Sequence, residues 1–320
     1  NSPALFNLGA TQFTHLFDDG RIEADPSRAS GFRTPMDDEM VAGFASVLSA
    51  QAMFPVVSPD EMAGHYNENE ISKAVRSGRI TGPGGAWDLI AARVAAVPEY
   101  RTQFGSVYAE IGAGRDIAFT DIANAIAAFV AQEWRSDTSP FDAFLRGKGT
   151  LATDAEAGLA VFYGSAGCAE CHSGPLQTDH GFHAMAAPQL GPGKAERFET
   201  HSRDEGRFRV TGRAADRYAF RTPSLRNVLQ TGPWGHAGAH SNLADFLAQH
   251  GQPQALAAYQ PQAILPELSN TKPDWSIIQD PAETATIAAA AAPRPALAAP
   301  EIAALLAFLG SLSDQTALAG

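Results

Sequence analysis

The chain has 320 residues, 45% of them hydrophobic, and a net charge of −12. That length and apolar content are enough for two packed domains, while the acidic balance argues against nucleic acid, whose phosphates require clustered Lys and Arg. No window is long and apolar enough for a membrane span: Ile287 to Ala299 is short, is broken by Pro293, Arg294 and Pro295, and reads as a linker.

In chain order, the opening Asn1-Ser-Pro has no secretory apolar region, so a signal peptide is expected to be removed or to lie outside the sequence. Asp18-Asp19-Gly20-Arg21 is a turn signal, and Asp25 to Pro35 reads as a surface loop. Acidic residues 37–39 open a predicted helix over Met40 to Met53, which Pro55 stops. Ser58-Pro59-Asp60-Glu61 has the form of a capped helix start, in which Glu61 could serve only as a cap. Further helices are expected at 68–77, 86–96 and 98–104, and over Thr120 to Trp134 with Ile122, Ile126, Phe129 and Val130 on one face. A second unit is expected to begin near Ser139, giving domains 1–138 and 139–320. It opens with Pro140 to Leu145 and a capped helix ending at Phe162. Residues 174–218 look like loop, 223–228 and 243–250 look helical, and Glu301 to Leu312 closes the chain. Strands are hard to find. The expected class is all-α, two-domain, with long functional loops.

The helix ending at Phe162 runs into Cys168-Ala-Glu-Cys171-His172. A C-x-x-C-H run reads as a c-type haem attachment site: two thiols add across the two vinyl groups, and the next residue presents an imidazole to the iron. A C-x-x-C pair also suits a disulfide, a redox dithiol or half a zinc site. With only two cysteines in the chain a four-cysteine zinc site is excluded, and neither a disulfide nor a dithiol accounts for His172. Covalent haem c is normally attached on the exported side of a bacterial membrane, which points to the periplasm. An acidic surface would suit a basic electron carrier.

Several blocks carry a family resemblance. Gly158 to Phe162, Cys168 to Gly174, Asp204-Glu-Gly-Arg207, Phe220 to Asn227 and Thr231 to Gly238 resemble the C-terminal haem half of bacterial di-haem cytochrome c peroxidases and their MauG-type relatives. Asn1 to Leu5 and Phe17 to Arg21 extend the likeness to the start of the chain. The resemblance implies cytochrome c-type domains in the two-domain peroxidase architecture. It also implies that Glu61, in Pro-x-Glu-Met, shuttles protons beside a peroxide-binding haem, with Gln51 ten residues earlier as its companion. The second ligand of the C-terminal haem lies seventeen residues after the Pro of a Thr-x-Pro turn, Met in the peroxidases and Tyr in MauG. Counting from Pro233 reaches His250, which implies a bis-imidazole, low-spin iron of lower potential than a Met/His one. Asn1, Thr231 and Pro233 correspond to the family's Ca2+ ligands. Arg226 could pair with a haem propionate. His236 is assigned a structural role, and His180, His183, His201 and His240 are read as solvent or packing residues.

Two departures stand out. The family carries an earlier C-x-x-C-H that this sequence lacks. The alternatives are a missing segment, a separate partner chain and a mono-haem descendant. Gln51 and Glu61 favour the first two, so a second, peroxidatic haem is expected from a missing segment or a partner chain. The Trp that the family places between its haems is replaced by Phe17 or Asp18, with Trp234 as a candidate substitute. The reading implied is an H2O2-reducing oxidoreductase, served by a small cytochrome or cupredoxin. The alternatives are MauG-like oxidation of a protein side chain and a non-catalytic electron-transfer cytochrome c subunit.

Overall fold

A computed structural model describes residues 4–191, 201–261 and 273–319. The chain divides into two compact units. One comprises Leu8–Leu16 and Arg21–Glu133; the other comprises Trp134–Gly320 with the stretches up to Asn7 and Phe17–Gly20.

The first unit opens with a small antiparallel sheet that sequence patterning does not reveal. Strands β1 (His15–Leu16), β2 (Ile22–Ala24) and β3 (Phe32–Arg33) pair in that order, Leu16 opposite Ile22 and Ala24 opposite Phe32. Two or three residues are too few to show an alternation. Helix α1 (Val47–Ala52) is shorter than the predicted 40–53 helix. Gly43 takes a φ of +106°, and Ser46 caps the helix by exchanging hydrogen bonds with Ser49, so the start is set there. Residues 59–63 form turns, correcting the expected helix start at Ser58; Glu61 is no helix cap.

Helices α2 (Glu70–Arg76), α3 (Ala86–Ala95), α4 (Pro98–Val107), α5 (Ala109–Gly112) and α6 (Phe119–Glu133) follow. Trp87 of α3 donates its indole N–H to the Met53 carbonyl at 2.8 Å, tying α3 to the end of α1. The buried face of α6 is Phe119, Ala123 and Ala127 rather than the predicted larger side chains, and Ile126 and Phe129 are exposed. Small residues allow close approach: a Cβ on Gly9 would lie 2.2 Å from that of Ala131.

The second unit contains α7 (Pro140–Leu145), α8 (Thr153–Tyr163), strand β4 (Phe182–Ala184), α9 (Phe208–Thr211), strand β5 (Ala219–Arg221), α10 (Leu243–Gln249), α11 (Pro253–Leu256), α12 (Pro281–Ala290), α13 (Ala299–Gly310) and α14 (Gln315–Ala319). β4 and β5 pair antiparallel with His183 opposite Phe220. The expected helix at 223–228 is absent: Asn227 sits in the left-handed region at φ +60° and only Val228–Gln230 forms a short 3-10 turn. Conversely, α12 takes residues 287–290 from the expected linker.

The core of this unit is α8 laid on α13. Phe308 is fully buried and meets Phe141 edge-on at 5.3 Å and Phe162 at 4.9 Å. Gly158 is where the helices touch, since a Cβ there would stand 1.9 Å from the Ala304 carbonyl oxygen. Asp314 closes the unit. Its carboxylate accepts from Thr138 N and Oγ at 2.7 and 2.8 Å, and its own N–H donates to the buried Asn227 side chain at 2.7 Å.

Gly158→Ala reverses a familiar sign. Alanine normally stabilises a helix interior by about 1 kcal/mol over glycine, but here overpacking should destabilise by about 1–3 kcal/mol or more, read as a lower urea midpoint. Asp314 gives a pH signature. Burial pushes its pKa up, yet hydrogen bonds from Thr138, Ala317 and Thr316 outweigh it and hold the carboxyl below its usual 3.8. Its stabilisation is therefore complete above the unfolded value near 3.9 and fades as pH falls through the lower folded value. Urea midpoints of Asp314→Asn and the parent should differ most at about pH 7, and the difference should shrink as pH falls below about 3.9.

Candidate haem site

Helix α8 ends at Tyr163, and the chain turns through Gly167 at φ +65° into a 3-10 turn, Cys168–Glu170. The His172 N–H closes the motif onto the Cys168 carbonyl at 2.9 Å. Both cysteines are half-buried and unbridged. Burial pushes the Cys168 thiol up to about 11 and also raises Cys171. A redox dithiol needs a depressed thiol pKa, opposite in direction to the shift of both cysteines.

The His172 ring is held from one side. Its Nδ1 lies 3.1 Å from the Gln177 carbonyl, and Gln177 is fully buried in a left-handed conformation, with its amide donating to the Gly174 carbonyl. An Nδ1–H bond to a carbonyl leaves Nε2 as the donor atom for a metal, the usual support for a ligating imidazole. Burial lowers the pKa of His172, which favours the neutral, ligating form.

His250 follows α10 directly and extends the chain away from it, with its N–H bonded to the Phe246 carbonyl. Phe246 lies against the His250 ring at 4.8 Å. The His172 and His250 rings face each other with centroids 6.5 Å apart and planes at 44°. Two metal–imidazole bonds of about 2 Å plus the two ring radii span roughly 6 Å, so the pair fits one iron between them. His250 is pulled down to about 3, first by burial and then by the charges of His172, Arg294 and His240. The residues present therefore fit a haem c with two axial imidazoles.

Gln51 and Glu61 both belong to the first unit. Gln51 lies in the last turn of α1, and among the described residues its buried Oε1 has no hydrogen-bond partner. Glu61 is exposed in a turn folded back onto 55–58, where Met62 N donates to the Pro55 carbonyl and Ala63 N to that of Ser58. Asn1 lies outside the described residues. Thr231 and Pro233 flank a cis Gly232–Pro233 bond, beside which Trp234 donates to the Val228 carbonyl at 2.8 Å and packs into the α8–α13 core.

Arg226 is buried and its guanidinium makes four protein contacts: Nε and Nη2 to the Pro175 carbonyl, and Nη1 to Ser139 Oγ and, at 2.6 Å, Asp142. These contacts clamp α7 to the loop that follows the Cys168–His172 motif. The residue that sequence reading missed is Arg294. It lies within the supposed linker, yet pairs with Glu170 and donates to Cys171 Sγ at 3.4 Å. Asp18 has a carboxylate oxygen that gathers with ligand atoms of Asp204 and His236 within 4.8 Å. His236 is bonded to Asp204 at 2.9 Å and stacked on Phe220.

The family model "Di-haem cytochrome c peroxidase" matches residues 1–150. Over 209 residues, 64% of the chain, it is 33% identical to the methylamine utilization protein MauG of Methylorubrum extorquens, covering 48% of that protein. Over 242 residues, 73% of the chain, it is 30% identical to the cytochrome c551 peroxidase of Nitrosomonas europaea, covering 62% of it. Over these residues the chain is similar to di-haem cytochrome c peroxidases and MauG, and it spans about half to three-fifths of the length of these relatives. Its fold is shared with a MauG-like protein associated with microbial copper homeostasis (TM-score 0.55, 24% identity, 86% of this chain and 71% of that one). The diheme peroxidase BthA of Burkholderia thailandensis is also similar (TM-score 0.53, 21% identity, 94% and 66%).

Asp142→Ala would leave the Arg226 guanidinium buried without its counter-charge. Equilibrium unfolding should show a loss of about 3–5 kcal/mol, far more than an exposed ion pair such as Arg135–Asp137 would give on the same treatment.

Proposed function

We propose that this chain carries the electron-transferring haem of a di-haem peroxidase or MauG-type oxidoreductase, and acts in the periplasm on H2O2. The observation that carries the reading is the facing pair His172 and His250, with ring centroids 6.5 Å apart beside Cys168 and Cys171. Haem c supplies reversible one-electron chemistry when bound. Cys168 and Cys171 would tether it, and the His172 and His250 imidazoles would hold its iron. This half of the protein is thereby suited to relay electrons.

The peroxide would then be handled in the other unit, the remainder of a peroxidatic domain whose own haem comes from a segment or partner beyond this sequence. The buried, unpaired Gln51 Oε1 supports this reading, since a buried acceptor is costly unless a donor reaches it. A Glu61 carboxylate oxygen would take a proton from the near oxygen of H2O2 and return it to the departing one. Two electrons and two protons per H2O2 give two waters. A small cytochrome or cupredoxin would supply the electrons. Thr231 and Pro233, with Asn1, would hold Ca2+ in an oxygen shell completed by water.

A second reading, an electron-transfer subunit with no peroxide chemistry of its own, draws on the same pair of imidazoles, His172 and His250. Oxidation of a protein side chain would use the same relay with a different reductant.

A pyridine-haemochrome count with intact mass, followed by spectra before and after H2O2, tests the assignment. The chain alone should carry one covalent haem, low-spin, converted to a high-spin or open form by His250→Ala. The native complex should contain two haems, one high-spin and reactive with peroxide, and Glu61→Gln should lower its turnover by about 10²–10⁴-fold. A native complex with one low-spin haem indifferent to peroxide would leave only the electron carrier.

A further inference from the structure

The bond from His250 to iron needs two remote pieces of chain held at a fixed separation, the 168–172 turn and the segment after α10. A third piece joins them. The Arg294 guanidinium pairs with Glu170 and donates to Cys171 Sγ at 3.4 Å, so its side chain grips the turn that carries His172. Its main chain grips the other side: Arg294 N donates to the Gly251 carbonyl at 2.9 Å, and the Gln252 side-chain amide donates to the Arg294 carbonyl at 2.9 Å and to that of Pro295 at 3.3 Å. Gly251 is the residue directly after His250. It sits at φ +68°, and a Cβ on it would come 2.6 Å from Arg294 Cγ and 2.9 Å from Met185 Cε. The strap is thus seated directly on the chain behind the ligand.

We infer that Arg294 is a positioning residue that locks His250 onto the haem iron, through a strap from Ala291 to Ala298 linking the two ligand-bearing segments. Pro293 and Pro295 suit this task. Each presets its own φ and lacks an N–H, which limits the states the strap can sample when released and leaves Arg294 as the donor between them. A thioether sulfur remains a weak acceptor after haem attachment, and the Glu170 contact does not depend on the sulfur. The strap therefore persists when the cofactor is in place. Opening it costs a charge-assisted contact and lets His250 swing away from the iron.

The inference rests on His172 and His250 being the axial pair. Carbon monoxide can bind a bis-imidazole ferrous haem only after one imidazole leaves, so its binding rate in the haem-loaded full chain reads the release of His250. Arg294→Gln should accelerate CO binding about tenfold, the scale of one lost charge-assisted hydrogen bond. Glu170→Gln, at an exposed side chain where folding is not at stake, should accelerate it by a smaller factor. Haem content and the far-ultraviolet spectrum should stay unchanged in both. Equal CO rates in the parent and both variants, with His250→Ala fast, would overturn the lock while leaving the axial pair standing. A parent as fast as His250→Ala would instead refute the axial pair, and the inference with it.

Discussion

Gly158 lets α8 lie directly on the backbone of α13, with the Ala304 carbonyl where a side chain would otherwise stand. The Phe308, Phe162 and Phe141 rings fill the space around that crossing, so α8 cannot slide or rotate without opening a buried aromatic cluster. Five residues after α8 ends, the chain reaches Cys168. The helix pair is therefore the rigid mount from which the thiols and His172 project, and an iron ligand must be held to a few tenths of an ångström to bond well.

His250 is supported differently from His172. His250 comes from the end of a seven-residue helix, α10, which touches α13 but offers no long element to brace the imidazole. Its support is assembled from neighbours: Phe246 against the ring, the Phe246 carbonyl on its N–H, and the Arg294 strap behind Gly251. His172 is thus mounted on the core and His250 on a clasp.

Buried charge follows the same division of labour. Arg226 is satisfied by Asp142, Ser139 and the Pro175 carbonyl, and Asp314 by Thr138, Thr316 and Ala317. Both knit loops to helices within the second unit. Burying these groups is tolerable only because every strong donor or acceptor finds a partner.

Sequence alone determined the chemistry that depends on adjacency. Cys168, Cys171 and His172 are neighbours in the chain, so their joint role is written in five letters, and the periodic helices α3, α6, α8 and α13 were legible because each is long enough to show a repeat. Tertiary structure decided what depends on distance between remote segments. It brought His250 to 6.5 Å from His172 and gave Arg226 to Asp142. It also turned the Pro293-Arg294-Pro295 linker into a contact with Glu170 and Cys171. It chose the alanine face of α6 over its larger side chains, ended the expected helix at Ser58 in turns, and paired strands too short to announce themselves. The physical reason is common to all of these: local pattern records what a residue prefers, whereas burial and partner choice are set by which distant backbone can come close enough to use it.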